Sequence, residues 1–201
     1  MGVKERRERQ KERVRQDILD AARDLFVSEG YENVSMRRIA DKIEYSPTTI
    51  YLYFENKDEL FESLCEETFA KLLRTLRSIQ EENLNPVAVL KRALKLYIEF
   101  GLKHPNHYAV SFMTSHRDVE SSDYKDNEHS GTKSFQFLRA SVSACINQGK
   151  LRIKDADMAS QVLWAGIHGL TSLLIVHPNF PWKQRQRLIE TLVETLVEGL
   201  A

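Results

Sequence analysis

Residues 34–60, VSMRRIADKIEYSPTTIYLYFENKDEL, read as two short helices joined by a tight turn and followed by a longer helix. Ser35 can cap the first of these, its hydroxyl accepting a free backbone N–H. Ile39, Ala40 and Ile43 then share one helical face. A break follows at Glu44–Tyr45. Ser46 offers a second cap, and Pro47 stands at the first helical position, where its missing N–H costs nothing. The spacing predicts a helix from Pro47 to about Phe54 that buries Ile50 and Phe54 and turns Thr48, Thr49, Tyr51 and Tyr53 outward. Asn56 and Glu59 can form a capping box for the helix that follows. The pattern is that of a helix-turn-helix.

Hydroxyls and phenols on the outward face of a two-turn helix can bond phosphates and base edges, and threonine methyls can touch thymine methyls. Lys57 adds to this. A cation in the first turn of a helix opposes the dipole, and a nearby DNA phosphate would remove the conflict. Any one of these residues alone fits an ordinary solvated surface helix. The whole array in this order fits DNA recognition better.

Residues 14–64 resemble the N-terminal DNA-binding domain of the TetR/AcrR transcriptional regulators. The resemblance is carried by Ile18, Ala21–Ala22, Leu25–Phe26, Gly30–Tyr31, Ser35, Ile39–Ala40, Ser46, Ile50–Tyr51, Phe54, Lys57 and Leu60. It implies a ligand-responsive homodimer on a palindromic operator. It also implies that Thr48, Thr49 and Tyr51 approach bases or phosphates, with Ser46 at the start of their helix, while Ser35, Arg37, Tyr53 and Lys57 hold backbone. One departure stands in the turn, where the family usually has Gly then an aliphatic residue and this chain has Glu44–Tyr45. A left-handed Glu44 would carry strain of about 1 kcal/mol.

The chain has 201 residues, 42% of them hydrophobic, and a formal net charge of zero. The charge is unevenly spread. Residues 1–15 carry seven Lys/Arg against three Glu, a net of +4, which leaves 22 basic and 26 acidic residues elsewhere. A basic arm on a mildly acidic body suits phosphate contact through the arm, although such runs are also common as solvated helix ends. Cys65 and Cys145 fall among apolar helical positions and read as core thiols of a reduced, cytoplasmic protein. The charged start lacks a signal-peptide pattern. The apolar run Val162–Val176 is too short for a membrane span, and no membrane partner is expected.

Everything readable is helical, so the expected fold is all-α with about nine helices. The first runs to Glu29 and stops at Gly30. The fourth runs from Lys57 to about Gln80, with its domain boundary near Glu67, giving a DNA-binding domain over 1–66 and a sensing and dimerisation domain over 67–201. A fifth ends before His104–Pro105, and a short sixth carries Tyr108, Phe112 and Met113. Ser115 to about Lys133 reads as a polar loop. The seventh stops at Gly149, the eighth spans about Asp155–His177, and the ninth about Trp182–Gly199. The eighth has the small residues Ala159, Ala165, Gly166 and Gly169, and the ninth an apolar stripe with Leu192 and Leu196. These two helices are the expected homodimer contact.

His104, His107, His116, Asp118, Asp123 and His129 show no ligand pair at zinc-site spacing, so neither metal nor cofactor is expected. The Trp164-x-x-x-His168-Gly169 string resembles one C-terminal subclass of the same family. Two readings fit it: a packed Trp with a hydrogen-bonded core His, or a ligand cavity in which Trp164 and His168 join Tyr97, Phe100, Phe112, Met113 and Phe135 around a small apolar or aromatic molecule. No GxSxG, HExxH, P-loop or GxGxxG pattern occurs. The chain therefore reads as a transcriptional regulator and not as an enzyme. The competing reading, an all-α enzyme with a structural N-terminal unit, separates from it by whether the protein shifts DNA.

Overall fold

The computed structural model describes residues 2–114 and 129–201. His116, Asp118, Asp123 and most of the Ser115–Lys133 loop lie outside the described residues. Those described form nine α-helices and no strand: α1 Val3–Glu29, α2 Met36–Lys42, α3 Pro47–Tyr51, α4 Lys57–Arg77, α5 Pro86–Lys103, α6 Pro105–Tyr108, α7 Ser130–Asn147, α8 Ala156–Val176 and α9 Arg185–Glu198. The expected all-α architecture is thus present.

Several ends differ from the sequence expectation. α3 stops at Tyr51, before Phe54. α4 gives way to a 3-10 turn over Ser78–Glu82, ended by Asn83 in a left-handed conformation. α7 begins at Ser130, inside the stretch expected to be loop. α9 begins at Arg185, because Trp182 is held in the preceding loop by its indole N–H, which donates to the His177 carbonyl at 2.8 Å.

The chain divides within α4. One compact unit takes Met1–Thr68 with Asn106–Asp118, the other Phe69–Pro105 with Val119–Ala201. The first is built on one apolar cluster. Ile18, Ala22 and Leu25 of α1 meet Ile39, Ile50, Phe54 and Leu60, with Val110 from the short π-helical turn after α6. Phe26, Tyr31 and Phe61 pack as a tilted aromatic trio with centroids 5.0–6.0 Å apart. Arg23 is buried and reaches Asp20 and Glu67, the latter at 2.9 Å, which ties α1 to the first half of α4. Cys65 sits half-buried against this core, and desolvation pushes its thiol up to about 12, so it stays a neutral, unreactive thiol.

In the second unit α5 packs against α7, α8 and α9. Leu90, Leu94, Ile98, Val142, Leu163, Ile167, Ile189 and Val193 are all buried in it. Asn85 and Asp155 cap α5 and α8 by accepting backbone N–H bonds at 3.0 Å. α8 is long and apolar enough to cross a membrane by length and composition. Its three helical neighbours account for that composition on one side. Just past the end of α7, Gly149 has a φ of 64° that lets Lys150 N–H close back onto the Cys145 carbonyl at 2.9 Å.

Candidate nucleic-acid interface

The helix-turn-helix is assembled by three local caps. Ser35 accepts the Arg38 N–H at 3.1 Å and starts α2; Ser46 accepts the Thr49 N–H at 3.1 Å and starts α3. Asn56 accepts the Glu59 N–H at 2.8 Å and starts α4. The Glu59 carboxylate returns to the N–H of Glu55, one residue earlier than in an ordinary capping box. Between α2 and α3 the chain turns on Glu44, left-handed with φ 59°. Tyr45 N–H bonds the Ala40 carbonyl at 3.0 Å and Glu44 N–H the Asp41 carbonyl at 3.4 Å, the two bonds of a Schellman ending. Two partners for the last carbonyls of α2 offset the steric cost of Glu44.

Short helices placed this way sort their side chains sharply. Ile50 and Phe54 are buried as the spacing predicted. Thr48 is fully outward, while Thr49 is half-buried and shares a 2.8 Å bond between its hydroxyl and that of Ser46. Tyr51 is 55% exposed and Leu52 is 76% exposed, the most open large apolar side chain among the described residues. Tyr53, expected outward, packs partly against the core cluster. The reason is the end of α3 at Tyr51: beyond it the helical period no longer assigns faces. Leu52 was missed for the same cause. Its one sequence signal is a leucine that fits neither partner of the Ile50–Phe54 pair.

Lys57 stands in the first turn of α4, half-buried. Its ammonium donates to the Tyr31 carbonyl at 2.9 Å and lies 4.1 Å from the Tyr31 ring centroid. The Tyr31 hydroxyl in turn donates to the Asp58 carboxylate. Desolvation and that carboxylate push the Tyr31 phenol well above its ordinary range. The conflict of Lys57 with the helix dipole is therefore eased inside the unit. Arg37 is exposed, with no ion pair among the described residues, whereas Arg38 is bound to Glu29 at 2.7 Å. The outward set is thus Ser35, Arg37, Ser46, Thr48, Tyr51 and Leu52, with Thr49, Tyr53 and Lys57 partly covered behind it. Donors and acceptors next to apolar tips suit a DNA groove edge.

The second candidate group divides between the two units. Phe112 and Met113 belong to the first, where Phe112 stacks on Tyr108 at 4.6 Å. Tyr97, Phe100, Phe135, Trp164 and His168 belong to the second. There Trp164 Nε1–H donates to the Tyr97 hydroxyl at 3.2 Å, and that hydroxyl meets His168 Nδ1 at 3.4 Å. Ser172 Oγ lies 3.3 Å from His168 Nε2. The Tyr97 hydroxyl thus stands between the indole and the imidazole, and the imidazole between the Tyr97 and Ser172 hydroxyls. Desolvation lowers the His168 pKa, which favours the neutral ring. Phe135 meets Trp164 edge-on at 6.0 Å, and Phe100 pairs with His104 at 5.1 Å.

The profile described as bacterial regulatory proteins, tetR family, matches residues 18–64, and that of the tetracyclin repressor-like C-terminal domain matches residues 90–200. Solved structures share the fold. A TetR family regulator, PfmR from Thermus thermophilus, is 17% identical with a TM-score of 0.74, covering 92% of this chain and 98% of its own. The fatty acid degradation regulator FadR from Bacillus halodurans is 20% identical with a TM-score of 0.77, covering 92% and 95%. FadR from Bacillus subtilis, solved with stearoyl-CoA, is 19% identical with a TM-score of 0.77, covering 92% and 99%.

Proposed function

This chain belongs to the TetR family of bacterial regulatory proteins, and we propose that it acts as a homodimeric repressor that leaves a palindromic operator when a small apolar molecule binds its second unit. Its role as a DNA-binding transcriptional regulator follows from the family. The observation that carries the operator reading is the exposed tip of the helix-turn-helix: Thr48, Tyr51 and Leu52 stand clear of the core on a helix capped at Ser46. Thr48 and Tyr51 supply polar contacts, and Leu52 supplies an apolar surface for a thymine methyl. Arg37, Ser35 and Lys57 are assigned to phosphates.

The proposed dimer contact is the outward face of α8 with α9. Met158, Val162, Ala165, Gly169, Leu173 and Val176 recur at helical spacing, and all but the half-covered Gly169 are exposed. For the ligand, the support is the aromatic and singly polar surroundings of Tyr97, Trp164 and His168. A long-chain acyl thioester is the first compound to try, given the stearoyl-CoA held by the Bacillus subtilis neighbour. α4 is common to both units, so a ligand that favours a different pose of its second half would shift the population of the first half, and with it the spacing of the recognition helices. A tenfold loss of operator affinity needs only about 1.4 kcal/mol of differential binding.

The test is selection of duplexes from a randomised pool, followed by mobility shift and titration with palmitoyl-CoA and stearoyl-CoA. A palindrome with half-sites about 34 Å apart or slightly more is expected. Failure to enrich any duplex would overturn the operator reading. Enrichment without release by any of a broad set of apolar compounds would overturn the sensor reading.

A further inference from the structure

The basic N-terminal segment is not a loose arm. α1 starts at Val3 and runs unbroken to Glu29, so the seven cations of residues 1–15 are fixed on a helix. Lys4 to Arg13 are exposed, and among the described residues none of the seven forms an ion pair.

Helical spacing divides them into two stripes. Lys4, Arg7, Lys11 and Arg15 follow one another at steps of three and four. The same row continues into Ile18, Ala22 and Leu25, which are buried against the helix-turn-helix. Arg6, Arg9 and Arg13 lie on the opposite side, and their row continues into Asp17, Asp20 and Asp24. Those three aspartates line a shallow cleft with Lys42 and Tyr45. Glu5, Glu8 and Glu12 run between the two rows.

The rows therefore differ in what they lead to. The first leads to the α3 end of the helix-turn-helix, where its last member, Arg15, rests its guanidinium 5.3 Å from the centroid of the Phe54 ring, whereas the second leads to the α2 end, at Lys42 and Tyr45. Phe54 follows the exposed Tyr51 and Leu52 by only a few residues. The second leads into Asp17, Asp20 and Asp24, of which Asp20 is already paired with Arg23 and Asp24 with Lys42 at 3.7 Å, and Arg9 in it is turned onto the Glu5 carbonyl at 3.5 Å. From Arg15 to Lys4 the helix advances roughly 16 Å at its 1.5 Å rise.

We infer that the first three turns of α1 form a rigid phosphate-binding rail, in which Lys4, Arg7 and Lys11 contact the DNA backbone outside the half-site read by α3, while Arg6, Arg9 and Arg13 do not. The inference rests on the operator reading above. The rail lengthens each half-site contact by about five base pairs, without reading sequence.

The test compares two charge-matched variants, K4Q/R7Q/K11Q and R6Q/R9Q/R13Q, on the duplex enriched by the wild-type protein. Gln keeps helix propensity close to Lys and Arg, and far-UV circular dichroism and the melting midpoint check that the fold is retained. The first variant should lower the slope of log K against log salt by about two to three units and weaken binding about tenfold or more at moderate salt. The second should lower the slope by less than one. Trimming about five base pairs from each end of the duplex should weaken the wild type and leave K4Q/R7Q/K11Q unaffected. Equal slopes for the two variants, or a wild type indifferent to trimming, overturn the rail while leaving the operator reading intact. A wild type that enriches no duplex overturns the operator reading itself.

Discussion

Glu44 and Gly149 occupy the same place in two copies of one helix-ending motif. Each is left-handed, with φ 59° and 64°, and each is followed by a residue whose N–H returns to a carbonyl five residues back. Glycine adopts this conformation freely and glutamate does not. Glu44→Gly should therefore stabilise the first unit by about 1 kcal/mol. The gain is read as a higher denaturant midpoint by circular dichroism, because both tryptophans lie in the second unit. A lower midpoint would show that the Glu44 side chain holds the turn in some further way. Gly149→Ala should cost a similar amount.

Lys57 joins recognition to stability. Its ammonium is shared between the Tyr31 carbonyl and ring, so Lys57→Ala should weaken operator binding and also lower stability by about 1–2 kcal/mol. Tyr31→Phe removes the hydroxyl's bond to Asp58 while keeping the ring and carbonyl that hold Lys57, and should leave operator affinity nearly unchanged. If Lys57→Ala loses DNA affinity with no change in unfolding midpoint, the Tyr31 contact contributes nothing to the fold.

The sequence carried the local features well. Ser35, Ser46 and Asn56 are caps because capping depends on residues two or three places away, and Ile50 and Phe54 are core because they share one short period. What was illegible depends on distance or on ends. The Tyr31 partner of Lys57 is 26 residues away in the chain. Tyr53 packs partly against the core because α3 ends one turn early, and Leu52, past that end, stands exposed. The four small residues of α8 looked equivalent, yet Ala159 is buried and a Cβ on Gly166 would lie 2.7 Å from Leu196, while Gly169 has nothing within 4 Å.

That division sharpens the test of the dimer. Val162→Glu and Leu173→Glu place charge on the open face of α8, where these residues are 43% and 47% exposed. Both should yield folded monomers by light scattering at micromolar concentration. Leu196→Glu instead strikes the packing between α8 and α9 within one chain, so it should lower the melting midpoint as well. Folded dimers from both α8 variants would exclude this face as the contact.

The Tyr97–His168–Ser172 chain predicts a pH dependence. His168 has a lowered pKa through desolvation, so the unfolded chain binds its proton more readily than the folded one. The stability this ring contributes is complete above the unfolded value, near 6.5. It falls as the pH drops through that value toward the lower folded pKa, because the partly buried imidazolium is less well solvated than in the unfolded chain. His104, also lowered, chiefly by desolvation and then by Lys103 and Lys71, acts with the same sign. The wild type should lose stability between pH 7.5 and pH 5.5. His168→Gln should lose less over the same interval, starting from a lower midpoint at pH 7.5, and Trp164 emission should shift with the transition because its indole N–H shares the chain. An identical pH dependence in wild type and His168→Gln would place the titration elsewhere.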